Sequence, residues 1–120
     1  MAAPNLLNPT TATGKVVPLN LTTSAANLIV NAAASGTVVR VNTINIANKT
    51  NPSAAADVTV YLVRSSNDYP LAFTITVPAD ASLVVIGKDN FIYLEEGDSI
   101  TALSSSPSSL TAIASYDIIS

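Results

Sequence analysis

The sequence is divided into eight or nine short segments with a strand-like pattern, and turn-forming residues separate them at close spacing. In the strictest segment, LAFTITVP (71–78), four apolar residues alternate with Ala and Thr: Leu71, Phe73, Ile75 and Val77. A period of two places alternate side chains on opposite faces of a strand. We therefore predict that these four residues point into a core.

The remaining strand-like segments lie on both sides of LAFTITVP, and they cover residues 15–21, 26–31, 37–48, 57–65, 83–87, 91–95, 99–103 and 110–120. Residues 66–70, SNDYP, are predicted to form a turn. The pattern favours an all-β fold, a single two-layer antiparallel β-sandwich of jelly-roll or immunoglobulin-like type spanning residues 15–120. A chain of 120 residues can bury a core of this size without disulfide bonds.

The segment TVVRVNTINIAN changes its alternation halfway along. Val39 and Val41 share one face of a regular strand, whereas Ile44 and Ile46 fall on the opposite face. A bulge or bend near Asn42–Thr43 would bring the two pairs to the same side. The alternative is a strand that is buried on both faces.

Residues 1–14 show neither strand nor helix periodicity. Pro4 and Pro9 favour extended backbone, so we predict an extended N-terminal arm that binds a partner through Leu6, Leu7 and the two prolines. The segment has no basic region followed by a continuous apolar run, so it is not expected to be a signal peptide.

Composition excludes several classes of function. The chain has no His and no Cys, which rules out Ser-His-Asp, Cys-His and thiolate-metal chemistry and agrees with assembly in a reducing cytosol. Charged residues make up 11% of the chain and its net charge is −3, with the basic residues scattered, so nucleic-acid binding is not expected. No apolar run is long enough to span a membrane. We expect no cofactor, no catalytic residue and no enzymatic activity.

The segment YLEEGDSI (93–100) places Glu95, Glu96 and Asp98 around Gly97. It is interpreted as a hairpin turn in which Gly97 takes a positive φ and the Asp98 side chain hydrogen-bonds the local backbone. The alternative is a calcium site built from the three carboxylates, although the spacing matches no EF-hand loop. Acid–base catalysis would need carboxylates that face each other across a pocket, which neighbours in one hairpin do not provide.

At VPADASLVVIGKDNFIYLEEGDSITA (77–102) the sequence resembles small virion structural proteins encoded by tailed phages, especially those that infect cyanobacteria. The segments APNLLN, NAAASGTVVRVNTINIAN and ASYDIIS extend the resemblance over most of the chain. It is a resemblance of the whole chain, and it carries over no functional residues. It implies a component of the virus particle without enzymatic activity.

Capsid decoration (cement) proteins are similar in kind, being small, β-rich, free of cofactors and often trimeric, with arms that reach across the major capsid protein. The resemblance therefore implies a homotrimer on the capsid surface, bound to the major capsid protein or another virion protein and assembled in the host cytoplasm. A tail, neck or fibre accessory protein is the alternative. A carbohydrate-binding adhesion module is more distant, because the chain has no Trp to form a sugar platform.

Overall fold

The structure is a computed structural model that describes residues 6–9, 11–49, 54–107 and 109–120. Within these residues the chain forms nine strands: β1 (Ala12–Asn20), β2 (Ala26–Val30), β3 (Val38–Asn48), β4 (Ala56–Arg64), β5 (Asn67–Val77), β6 (Ser82–Ile86), β7 (Ile92–Leu94), β8 (Ser99–Ser104) and β9 (Leu110–Ile119). A single 3₁₀ turn (Lys88–Asn90) separates β6 from β7.

The strands form two antiparallel sheets that pack face to face, which confirms the predicted β-sandwich. The first sheet has the order β1-β9-β3-β6, with β7 also paired to β3, and the second has the order β2-β8-β4-β5. The pairs β1–β9, β2–β8, β3–β6 and β4–β5 are nested in sequence and alternate between the sheets. This nesting is the arrangement of a jelly roll, so the fold is the first of the two sandwich types considered above.

Strand β3 contains the bulge that its sequence predicts. Its pairing with β9 shifts between Val41 and Thr43, so that Asn42 is an extra residue. The shift restores the alternation, and the inward-facing residues on both sides of it are almost fully buried: Val39, Val41, Ile44 and Ile46. The alternative of a strand buried on both faces is wrong, because the residues between them remain partly exposed.

The prediction for LAFTITVP is correct for Val77 and wrong for Phe73 and Ile75. Val77 is fully buried, but Phe73 is 59% exposed and Ile75 is 41% exposed. The pairing of β5 with β4 shifts twice, and Thr74 has a positive φ of 48°. These bulges interrupt the alternation of inward and outward side chains. In addition, β5 is an edge strand, so it pairs with β4 along one edge and has no strand along its other edge to shield Ile75.

Two predicted boundaries differ from the observed ones. Strand β1 begins at Ala12, so the last residues of the predicted arm belong to the first sheet. The turn predicted over residues 66–70 is shorter, because Ser65 and Ser66 alone connect β4 to β5 and both have positive φ. Asn67 to Pro70 continue the edge strand, which tolerates proline better than an inner strand does.

Candidate functional site

The acidic turn between β7 and β8 has the geometry predicted for it. Gly97 has a φ of 87°, and the Glu95 N–H donates to the Asp98 carboxylate at 2.8 Å while the Asp98 N–H donates to the Glu95 carbonyl at 3.0 Å. The sequence did not predict the partner of Asp98, which is Arg64 at the end of β4. Its guanidinium donates from Nε and Nη2 to the two Asp98 oxygens at 2.9 and 2.5 Å.

The Asp98 side chain is only 2% exposed, and the guanidinium of the partly exposed Arg64 balances its charge. The bidentate hydrogen bond from Arg64 lowers the pKa of Asp98, an effect that burial opposes and the Glu95 N–H supports. The same bond raises the pKa of Arg64 above its usual value. Glu95 also pairs with Arg64, at 2.8 Å. The network ties the β4–β5 hairpin to the β7–β8 turn.

Asn31, which follows β2 and is 3% exposed, connects the same turn to the rest of the sandwich. Its side-chain amide donates to the carbonyls of Leu94 and Thr37, both at 3.0 Å. Its backbone N–H donates to the Asp98 carbonyl, and its own carbonyl accepts from the Gly97 N–H. This end of the sandwich is therefore a closed hydrogen-bond network with a structural role.

An open cleft of about 500 Å³ lies beside the network and is lined by Arg64, Ser65, Glu95, Glu96, Gly97 and Asp98. Calcium would have to displace the guanidinium from both Asp98 oxygens, and Glu96 accepts a hydrogen bond from the Gly36 N–H at 3.2 Å. The structure brings the three candidate ligands Glu95, Glu96 and Asp98 to one turn, but it engages Asp98 and Glu96 elsewhere. No group of three acidic side chains with metal-binding geometry occurs in the described part of the chain.

The outer face of the first sheet carries a row of residues with no charged side chain, which we call the outer row. Its members are paired neighbours on four strands: Pro18 on β1, Ile113 on β9, Asn45 on β3 and Val84 on β6. Val84 is 62% exposed, Ile113 is 45% exposed, and Val16, two residues before Pro18, is 66% exposed. The Oδ1 atom of Asn45 is buried within this row and accepts no hydrogen bond.

One end of this outer face is more polar. Arg40 donates to Asp117 at 2.6 Å and lies 5.9 Å from the ring centre of Phe91, which contacts Tyr93 edge to face. Asn42, the bulge residue of β3, also donates to Asp117 at 3.2 Å. The hydrogen bond from Arg40 is the main reason that the pKa of Asp117 lies below its usual value. The bulge therefore has a second consequence, since it places an amide beside this ion pair.

The predicted arm residues are only partly within the described chain. Pro4 lies outside the described residues, whereas Leu6 is 44% exposed, Leu7 is 95% exposed and Pro9 is also exposed. Thr11 exchanges backbone hydrogen bonds with Ser120, so the regular pairing of the first sheet begins directly after this segment. The binding role of the arm stays a prediction.

Sequence reasoning missed the outer row because an exposed apolar residue in a strand looks like a core residue. A signal for it is present in the consecutive apolar residues Val16–Val17 and Val84–Val85. In each pair one residue must point outward, because neighbouring side chains of a strand lie on opposite faces. Val17 and Val85 contact the core, and Val16 and Val84 are the exposed members.

No protein-family model and no curated protein matches the sequence. Among solved structures, the chain is similar to a protein of the disulfide-linked pili that form Bacillus endospore appendages. The identity is 12%, the match covers 91% of this chain and 85% of that chain, and the TM-score is 0.50. It is also similar to the nucleoplasmin-like N-terminal domain of Drosophila FKBP39, at 11% identity over 91% of both chains and a TM-score of 0.48. At this identity the pilus protein supports the fold alone.

Proposed function

We propose that this chain is a non-enzymatic structural protein of a phage particle, and that it is a capsid decoration protein that binds the lattice of the major capsid protein. The observation that carries the proposal is the exposed, uncharged outer row of the first sheet. Contiguous exposed apolar residues with a polar surround mark protein interaction sites. The resemblance to virion structural proteins of tailed phages supports a partner within the virus particle, and the major capsid protein is the partner that we propose.

The chemistry of this face is suited to a protein partner. The free-energy cost of removing small apolar and amide side chains from water is lower than the cost for charged groups. At the acidic turn, by contrast, the carboxylates are bound by the protein's own Arg64 and backbone.

A tail, neck or fibre accessory protein is the second candidate, and the similarity in fold to a pilus protein is compatible with such a structural role. That protein assembles into a filament with disulfide links, and it has the same fold. The present chain has no Cys, so its own assembly would depend on non-covalent contacts. The homotrimer implied by the resemblance remains part of the decoration proposal.

The number of copies per particle distinguishes the two candidates. If the chain is a decoration protein, quantitative mass spectrometry of purified particles should find about one copy of it for each copy of the major capsid protein. A few dozen copies or fewer per particle would contradict decoration and favour the tail, neck or fibre.

A pair of matched variants tests the outer row itself. Val84→Glu adds a charge to the row on edge strand β6, and Val30→Glu adds the same charge at a residue of β2, 55% exposed, in the other sheet. We expect Val84→Glu to remove the protein from particles and Val30→Glu to leave occupancy unchanged. Equal losses, or loss with Val30→Glu alone, would contradict the assignment of this face.

The arm is tested separately. Deletion of residues 2–9 leaves all of β1 in place, since β1 begins at Ala12. If the arm anchors the protein, the truncated chain should unfold at the wild-type denaturant concentration and yet be lost from particles. Full occupancy of the truncated chain would show that the sheet face alone provides the binding.

A further inference from the structure

The edges of the two sheets differ in how regularly they are built. Strands β2 and β6 have five residues each and a shift in their pairing, and β5 has two shifts together with Pro70. Strand β1 has nine residues, and its pairing with β9 continues without a shift. Bulges, short length and proline are the usual means of preventing an edge strand from pairing with another chain. Among the edges that the structure describes, β1 has the longest regular one.

The hydrogen bonds of β1 show which of its residues point away from the sheet. Thr11 exchanges N–H and C=O bonds with Ser120, and the Leu21 N–H donates to Leu110, so the odd-numbered residues bond to β9. The N–H and C=O groups of Ala12, Gly14 and Val16 therefore point to the open side. All three residues are exposed.

Pro18 also belongs to this outward set, and it has no N–H to offer at the open edge. The proline therefore costs β1 no hydrogen bond with β9, but it blocks strand addition beyond this position. The result is a short template from Ala12 to Val16 that ends at a defined residue.

We propose that this template binds the same template of a second copy of the chain, antiparallel, about a two-fold axis through Gly14. In this register Gly14 pairs with Gly14 of the partner and Ala12 pairs with Val16 of the partner, on both sides of the axis. Each such pair exchanges two hydrogen bonds, which gives roughly six in all. The two first sheets then become one continuous sheet.

The side chains of β1 select this register and this occupant. With the axis at Gly14, Lys15 lies opposite Thr13 of the partner, and Ala12 lies opposite Val16, so no like charges meet. With the axis moved to Lys15, the two lysines oppose each other and Ala12 faces Pro18, which lacks a donor. An added Cβ at Gly14 meets only Asp117 Oδ1, at 3.5 Å, so the strand tolerates substitution at the axis.

The contact uses one edge and leaves the outer row exposed, so it holds independently of the proposed capsid binding. It is a two-fold contact, separate from the three-fold contacts of the proposed homotrimer. If Val84→Glu loses particle binding but keeps β1 pairing, the result bears on the proposed function and not on the edge contact. If a variant loses β1 pairing but keeps particle binding, the result bears on the edge contact and not on the proposed function.

Single cysteines test the register, because the natural chain has none. A hydrogen-bonded antiparallel pair has Cα atoms about 5.5 Å apart, which a disulfide can bridge. We expect mild oxidation to cross-link Gly14→Cys into a dimer. Ala12→Cys alone should stay monomeric on a denaturing gel, because the two copies of residue 12 lie about 13 Å apart along the strands. A mixture of Ala12→Cys with Val16→Cys should cross-link, and Asn20→Cys is the outward-facing control that should not.

Charge variants at exposed Thr13 test the contact without altering the backbone. Thr13→Glu would face Lys15 of the partner twice per dimer and should tighten dimerisation about 2- to 10-fold, whereas Thr13→Lys should weaken it by a similar factor. Sedimentation equilibrium of the full chain measures both, and circular dichroism at low concentration verifies that each variant is folded.

The proposal is overturned if the wild-type chain is monomeric at all concentrations up to the millimolar range. It is also overturned if the chain forms trimers that Thr13 variants do not alter, or if Gly14→Cys and Asn20→Cys cross-link equally. Weakening by both Thr13→Glu and Thr13→Lys would place Thr13 opposite itself and would exclude the Gly14 axis.

Discussion

Strands β3 and β5 both have eleven residues and both contain bulges, yet the bulges have opposite consequences for burial. In β3 the extra residue Asn42 keeps the apolar residues on both sides of it in the core. In β5 the shifts leave Phe73 on the outer surface, near Tyr61 at 6.4 Å between ring centres. A bulge can therefore either preserve an apolar face or divide it.

The difference follows from the neighbours of each strand. Strand β3 lies between β9 on one side and β6 and β7 on the other, so each of its inward side chains is surrounded. Strand β5 contacts β4 on one side only, and its open side permits bends that cost little buried area. Alternation in a sequence is thus a more reliable guide to burial in a central strand than in an edge strand.

The largest effect that this comparison predicts is at Ile44, directly after the β3 bulge. Ile44 is fully buried, and Ile44→Ala should lower the free energy of unfolding by about 2–5 kcal/mol. Urea unfolding followed by circular dichroism measures the change. A cost near that of a surface substitution would show that the bulge does not direct this residue inward.

A smaller loss is expected at the end of the β4–β5 hairpin, where Arg64 holds Asp98. Asp98→Asn keeps the shape of the side chain but removes its charge, and it should cost about 1.5–3 kcal/mol at neutral pH, the range for hydrogen bonds to charged groups. Asp117→Asn is a control at a more exposed ion pair and should cost less. Equal costs would show that burial of Asp98 adds nothing.

The same pair predicts a pH dependence. The pKa of Asp98 is lower in the folded protein than its ordinary value of 3.8, so the unfolded chain binds the proton more tightly. The contribution of Asp98 to stability is therefore fully present above about pH 4 and is lost as the pH falls through the folded pKa. The urea midpoint of the wild type should fall more steeply below pH 4 than that of Asp98→Asn. If the urea midpoints of the two proteins fell in parallel as the pH was lowered, Asp98 would not be the source of this pH dependence.

A modest gain in stability is expected from changing the turn between β4 and β5. Ser65 and Ser66 have φ values of 53° and 65°, a conformation that favours Asn and Gly in a two-residue hairpin. Replacing the two serines with Asn-Gly should stabilise the protein by about 1 kcal/mol, because a non-glycine residue in the left-handed region is strained. The melting temperature reports this gain, and the reversed order Gly-Asn is the matched control. A loss of stability would show that the serine side chains have a role beyond the turn.

The smallest effect is expected at Phe73. Because this side chain is more than half exposed, Phe73→Ala should change stability by only about 0.5 kcal/mol. The measurement is the same urea titration as for Ile44→Ala, so the two strands are compared directly. A cost of several kcal/mol would show that Phe73 is buried, as simple alternation along β5 predicts, and that β5 does not differ from β3 in this respect.

The candidate sites were predictable to different degrees. The hairpin at Gly97 could be predicted from local residues, because a positive φ and an Asp that bonds its own turn are local properties. The partnership of Arg64 could not, since Arg64 lies 34 positions before Asp98 in the sequence. The outer row depends on four strands from distant parts of the chain, and no local pattern specifies which strands become neighbours.

The sequence by itself determined the all-β class, most strand positions, the β3 bulge and the acidic turn, because periodicity and turn chemistry act over a few residues. The tertiary structure alone decided the jelly-roll order, the edge position of β5 and therefore the exposure of Phe73, and the Arg64–Asp98 pair. These depend on which strands lie side by side. The free energy of that choice comes from burial and hydrogen bonding between residues far apart in the chain, which local patterns do not encode.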